Sequence, residues 1–261
     1  MIGEPIKCCV TIEGVEGRAG GLAADRFRTR RGAWRRRFWW VFPAVGALPI
    51  VIELPIALLT HASHGGFWAG LALGIRAGAA WVLFDSPPHH IESWRTGADG
   101  ERATERQLRP LLRQGWTLFH DIETAYGNID HVLVGPAGVF MLESKRPGGV
   151  ATVEAGKLVV RWREDPEDGY ENDSIAGRAR GAAASLRSAL ESKGVAVWVQ
   201  AVVVLWTEFD QRSIERDKVA WVRGSDLAAV LAARPVKYSG GAVERLSAAT
   251  WSVVKRLRRD V

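Results

Sequence analysis

Two long apolar runs set the first constraint on this chain. Residues 38–60 are almost wholly apolar, broken by Glu53 and by Pro43, Pro49 and Pro55, and residues 67–84 carry Arg76 as their one charge. As a helix the first run reaches roughly 34 Å, enough for a hydrocarbon core of about 30 Å. The pair predicts a transmembrane helical hairpin over residues 38–84. Trp39, Trp40, Trp68 and Trp81 fall toward the ends of the runs, where interfacial aromatic anchors belong. A signal peptide fits less well, because the first run begins far from Met1 and a second follows at once. A buried helical hairpin is the blander alternative, and Glu53, Arg76 and the prolines count against it.

Charge supplies an orientation. The chain of 261 residues carries a net charge of +6, and nine Lys or Arg against four acids fall in residues 1–37, whereas residues 97–261 are nearly balanced at 24 against 22. The basic excess therefore argues less for broad DNA capture than for topology. An Arg-rich flank at residues 26–37 and an uncharged loop at 61–66 place both ends of the hairpin on the cytoplasmic side of a bacterial-type inner membrane. Residues 1–37 read as a disordered basic arm, and residues 85–96, with Pro87 and Pro88, as a linker. Cys8 and Cys9 are vicinal and offer no disulfide framework. His89 and His90 lack further nearby ligands and are weak metal candidates.

From residue 97 onward the pattern is that of an α/β domain with C-terminal helices. Spacing predicts a helix over residues 100–113 with Asp99 as N-cap, then strands at 116–122, 129–134 and 139–145, the last two joined by Gly135-Pro136-Ala137-Gly138. A weaker hairpin spans 150–162, and the acidic stretch 163–173 reads as a loop. A helix at 174–193, a buried strand within 195–206, a short strand at 219–222 and helices at 225–233 and 242–258 complete the expectation.

The chemistry-bearing stretch is residues 129–145, where three charges stand among apolar strand residues. Alternation puts Glu143 and Lys145 on one face. If Val134 pairs with Val139, Asp130 falls opposite Glu143; a turn shorter by one residue puts Asp130 opposite Ser144, on the wrong face. Two carboxylates and an ammonium together suit metal-assisted phosphodiester hydrolysis, with hard oxygen ligands for Mg²⁺ or Mn²⁺ and a Lys to position or deprotonate water. A structural salt bridge from Lys145 to one acid is the competing reading. A second Glu-Ser-Lys, at Glu191, Ser192 and Lys193, ends a predicted helix and carries no chemistry.

Gly97-Ala98-Asp99-Gly100-Glu101 leading a helix, Gly127-Asn128-Ile129-Asp130-His131, Gly135-Pro136-Ala137-Gly138-Val139-Phe140 and Glu143-Ser144-Lys145, in that order, resemble the nuclease-related domain (NERD) family of the PD-(D/E)xK restriction-endonuclease-like superfamily, over about residues 97–211. The resemblance implies a mixed central sheet flanked by helices. It also implies a site of Glu101, Asp130, Glu143 and Lys145, with Asp130 and Glu143 as metal ligands. Each residue has a blander reading: Glu101 suits the first turn of a helix, and His131 and His120 suit a core or a supporting role. The sequence departs from relatives after Asn172, where Asp173-Ser174-Ile175-Ala176-Gly177 replaces a Pro and a nearby Gln. The expected function is a membrane-anchored, metal-dependent nuclease cleaving DNA on the cytoplasmic side. The alternative is an inactive nuclease-like module that binds nucleic acid or a protein partner at the membrane.

Overall fold

The computed structural model describes residues 19–41, 43–44, 55, 65–86, 89–124 and 127–257. The chain divides into two compact units, one of Leu22–Thr96 and the other of the residues up to Gly21 and from Gly97 onward.

Within the first unit, helix α1 (Gly21–Phe38) replaces the disorder expected for the basic arm. Arginine is a good helix former, and Arg35, Arg36 and Arg37 occupy the last turn, where the helix dipole favours cations. Arg26 and Arg30, one turn apart, lie over the Trp94 ring at 5.0 and 5.4 Å. Helix α2 (Gly65–Asp85) takes in the second apolar run. Even so, no helix among the described residues is long and apolar enough to cross a membrane. The expected spanning segment at residues 67–84 therefore finds no support among the described residues. The first expected span, residues 38–60, lies mostly outside the described residues. Helix α3 (His89–Leu112) begins ten residues before the expected N-cap, so the presumed linker is helical from His89. Asp99 is inside that helix and pairs with Arg102 at 2.7 Å.

The second unit has the expected mixed α/β architecture. Its strands are β1 (Thr117–Thr124), β2 (Gly127–Gly135), β3 (Gly138–Lys145), β4 (Val150–Glu154), β5 (Lys157–Arg161), β6 (Gly169–Asn172), β7 (Val199–Leu205), β8 (Glu208–Phe209), β9 (Ser213–Arg216) and β10 (Val219–Arg223). The main sheet runs β1-β2-β3-β7-β10-β9, and a smaller one β6-β5-β4-β8. The first three strands are antiparallel; β7 lies parallel to both β3 and β10. Helices α4 (Ser174–Glu191), α5 (Leu227–Ala232) and α6 (Gly240–Leu257) follow the second hairpin.

Alternation in the strands builds a core on each face of the main sheet. Val132, Val134, Val139 and Met141 pack with Ala179, Leu186 and Leu190 of α4 and Val253 of α6. Leu133, Phe140 and Leu142 pack with Leu108 and Leu111 of α3 and Leu227 of α5. Covered on both faces, β7 is buried at every residue, as a Val-rich central strand must be. The acidic stretch expected to be a loop contributes β6, an edge strand on β5. It was hard to read because Tyr170 is its one good strand former. Asn172 at its end accepts the Ser174 and Ile175 amides at 3.1 and 3.3 Å and so starts α4.

Gly135 closes the β2–β3 ladder against Gly138, and a Cβ there would stand 2.1 Å from the Trp116 ring. Gly135→Ala should therefore cost about 1–3 kcal/mol by overpacking. Gly177→Ala, in α4 with nothing within 4 Å of the added carbon, should instead gain about 0.4–1 kcal/mol. Urea denaturation of the two variants checks both signs.

Candidate active site

Register decides whether the acids of the hairpin can meet. The ladder pairs Gly135 with Gly138, Val134 with Val139 and His131 with Leu142. Asp130 and Glu143 are the next residues past the last pair of that ladder, in the register on which the site depends. Asp130 Oδ2 accepts the Ser144 amide at 2.7 Å, and Lys145 Nζ donates to Glu143 Oε1 at 2.5 Å. The salt bridge foreseen as a bland alternative thus forms, inside a larger cluster of charge.

Glu101 joins from α3. It stands in the middle of that helix, about a dozen residues from His89, so the reading of a first-turn carboxylate favoured by the helix dipole does not hold. Its side chain is buried, with 7% exposure, and its Oε2 accepts the Gly20 amide at 2.9 Å. Gly20 has φ +74°, and a Cβ there would stand 2.8 Å from the Ala98 carbonyl, so glycine is required for this approach.

These groups shift one another. Burial, then Asp121, push the Glu101 carboxyl up to about 7, against the pull of the Gly20 amide and Lys145. Burial, then Glu143 and Glu101, hold Asp130 well above the usual carboxylate range, with Lys145 and the Ser144 amide opposing. For Lys145 burial works against the charge, but Glu143 and Asp130 outweigh it and raise the ammonium above its ordinary value. Lys145 is a cation at neutral pH. Arg178 of α4 is a second positive group close enough to act on it.

The sequence reading missed two parts of the site. Asp121 lies where the β1–β2 ladder skips a pair between His120–His131 and Ile122–Ile129, and it takes φ +48°. That conformation is unusual for a non-glycine residue, and nothing in the local sequence announces it. The other part is a support for the residue between Glu143 and Lys145. Buried Ser144 is 2.7 Å from Thr104 Oγ1, which also accepts the Trp206 indole at 2.8 Å and donates to the Gly100 carbonyl at 3.1 Å. This network ties β3 to α3 less than one turn beyond Glu101.

His131 lies on the opposite face from Asp130, fully buried, with its Nδ1 2.9 Å from Nδ1 of His120. Burial, then the neighbouring His120, lower its pKa to about 3, so it is a neutral core residue. Among the described residues no three His, Cys, Asp or Glu side chains are placed to hold a metal ion. The donor chemistry of Asp130 and Glu143 nonetheless fits a hard divalent cation: carboxylate oxygens whose mutual repulsion raises Asp130 are the groups such a cation would relieve.

Residues 96–206 match the nuclease-related domain (NERD) family, a span of somewhat under half the chain that contains Glu101, Asp130, Glu143 and Lys145. The match supports the family resemblance for this segment. The chain is also similar to an uncharacterized protein of Bacillus anthracis, with 29% identity over 80 residues, 29% of this chain and 36% of that one. This chain thus spans about a third of the length of the curated relative it matches. No solved structure matches.

Because the Glu101 pKa is raised in the folded state, its contribution is stabilising below the ordinary value of 4.5 and is lost as pH rises through about 7. Thermal melts between pH 5 and 8 should show Glu101→Gln gaining on the wild type as pH rises, with the glutamine oxygen still accepting from Gly20. Equal pH slopes in the two proteins would contradict the assignment.

Proposed function

We propose that this chain carries a metal-dependent nuclease-type domain, restriction-endonuclease-like in fold, that hydrolyses DNA phosphodiester bonds at the Glu101, Asp130, Glu143 and Lys145 cluster. The observation that carries this reading is the convergence, from one helix and two adjacent strands, of carboxylates around a single lysine, with Glu101 and Asp130 both pushed up by burial and by neighbouring acids. Structural ion pairs need no such surplus of buried negative charge.

Asp130 and Glu143 would hold Mg²⁺ or Mn²⁺. When bound, the cation supplies Lewis acidity toward a phosphoryl oxygen and lowers the pKa of its water. Lys145, held as an ammonium by its acidic neighbours, orients water or a phosphoryl oxygen and offsets negative charge that builds on phosphorus; its raised pKa fits it poorly to remove a proton. Glu101 braces the acidic side of the site, and a carboxyl titrating near 7 can take up or release a proton under neutral conditions. The Ser144–Thr104–Trp206 bonds fix the strand that carries Glu143 and Lys145, so neither side chain depends on a loop for its position.

The alternative, an inactive nuclease-like module that binds nucleic acid or a protein partner, draws on one observation: no ready group of three metal ligands stands among the described residues. Anchoring to a bacterial-type inner membrane, with the domain on its cytoplasmic side, belongs to the same proposal. It rests on the apolar run at residues 38–60 and the Arg cluster before it. Carbonate extraction of membranes from cells expressing the full chain tests it, and release of the protein into the supernatant refutes it.

The full chain, needed because Gly20 is bonded to Glu101, should cleave DNA only with Mg²⁺ or Mn²⁺ present. Lys145→Ala should lower the rate by about 10²-fold or more in protein that circular dichroism shows to be folded. Mn²⁺ at saturation should raise the melting temperature by several degrees in the wild type and much less in Asp130→Asn. A Mn²⁺ shift without cleavage of any nucleic acid would favour the inactive module.

A further inference from the structure

At the far end of the main sheet from the acidic cluster, a groove of about 220 Å³ lies between α4 and the β9–β10 turn, lined by Arg180, Ala183, Ala184, Arg187, Trp198 and Lys218. Val139 pairs with Val199 at this end of β3 and β7, and Lys145 pairs with Leu205 at the other. The groove is therefore about 13 to 20 Å along the strands from Lys145. We infer that this groove binds a nucleotide unit with an unpaired base, the base stacking on Trp198 and the phosphate meeting Arg180 and Lys218.

Trp198 is 47% exposed, a large indole left in solvent just before a strand that is otherwise buried. It is nonetheless held in place. Its Nε1 donates to Gln200 Oε1 at 3.2 Å, and the buried Gln200 amide donates in turn to the Lys218 carbonyl at 3.1 Å. The Arg187 guanidinium lies over one face of the indole, 5.6 Å from its centroid, and is itself held by Glu191 at 2.7 Å, which leaves the other face for a base. An aromatic ring fixed in this way loses little conformational entropy when a ligand stacks on it.

The rim is equally fixed. The two residues of the β9–β10 turn, Asp217 and Lys218, have φ of 49° and 64°, an unfavourable backbone for non-glycine side chains. Arg180 donates to the Asp217 carbonyl at 3.3 Å and so pins the turn to α4. Lys218 has no ion-pair partner among the described residues, and Arg180 contacts a carbonyl there, so both keep charge for a phosphate. Ala183 and Ala184 keep the floor shallow. A base-stacking platform beside cations is the usual form of a site for single-stranded nucleic acid, and a free nucleotide presents the same chemistry. The inference deepens the proposed function by naming the substrate class, and it rests on that function only for the link to cleavage.

Fluorescence anisotropy of the full chain in EDTA, with a labelled single-stranded 12-nucleotide DNA, tests it. Trp198→Ala should weaken binding by about tenfold or more while the melting temperature holds, and Trp198→Phe should keep most of the affinity. Lys218→Gln should reduce the slope of affinity against salt by about one. Competition by adenosine monophosphate at micromolar concentration would identify a free nucleotide as the occupant, and its failure to compete would identify a strand; either supports the stacking site. Unchanged affinity in folded Trp198→Ala, an equal loss in the Phe variant, or no binding by the wild type would overturn it. Cleavage, read separately in Mg²⁺, distinguishes the two ideas. Trp198-dependent binding without cleavage keeps the groove and removes the nuclease, whereas cleavage with Trp198-independent binding does the reverse.

Discussion

The contact between the Trp116 ring and the bare backbone of Gly135 holds the chemistry of this protein in register. With that ring occupying the place of a side chain, the β2–β3 ladder closes at Gly135 and Gly138, and every pair below it follows. A slip of one residue would turn Asp130 toward the face that carries Leu133 and Leu142 and would bury a carboxylate in hydrocarbon. The same ring packs on Phe140, with centroids 5.9 Å apart, so core packing and strand alignment depend on one residue. The acids meet because an apolar contact leaves them no other arrangement.

What they form is an electrostatically uneasy cluster. Glu101 and Asp130 are both held above their ordinary pKa, and Lys145 is one ammonium among several carboxylates. A fold selected for stability alone would replace such a group with apolar side chains of similar volume. The cluster stands beside a well-bonded support, through Ser144, Thr104 and Trp206, that holds the strand carrying Glu143 and Lys145.

The β2–β3 hairpin was legible because alternation and a Gly-Pro-Ala-Gly turn agree with each other, and Val-rich β7 was legible because a two-face-buried strand has few ways to be written. Other parts were not. The start of α3 was misplaced because Asp99 looks like a cap, whereas Ile91 and Ala98 are buried along a helix already under way. Strand β6 borrows its conformation from the β5 edge and has almost no propensity of its own. Asp121 reaches the site through a backbone conformation, and Gly20 through a contact 81 residues away in sequence, neither of which a local pattern encodes. For residues 38–60 the structure adds little to the sequence, because most of that run lies outside the described residues.

Gly20 and Ala98 lie against each other, so the backbone departs from the α/β domain and comes back to it at a single spot. Everything between, Leu22–Thr96, is in effect a closed excursion whose two stems are already joined. A graft of that kind can be exchanged, lengthened or shortened with little entropic penalty, because closing the loop grows dearer only with the logarithm of its length. The α/β domain can thus keep one sheet and one acidic cluster whatever the length of that segment.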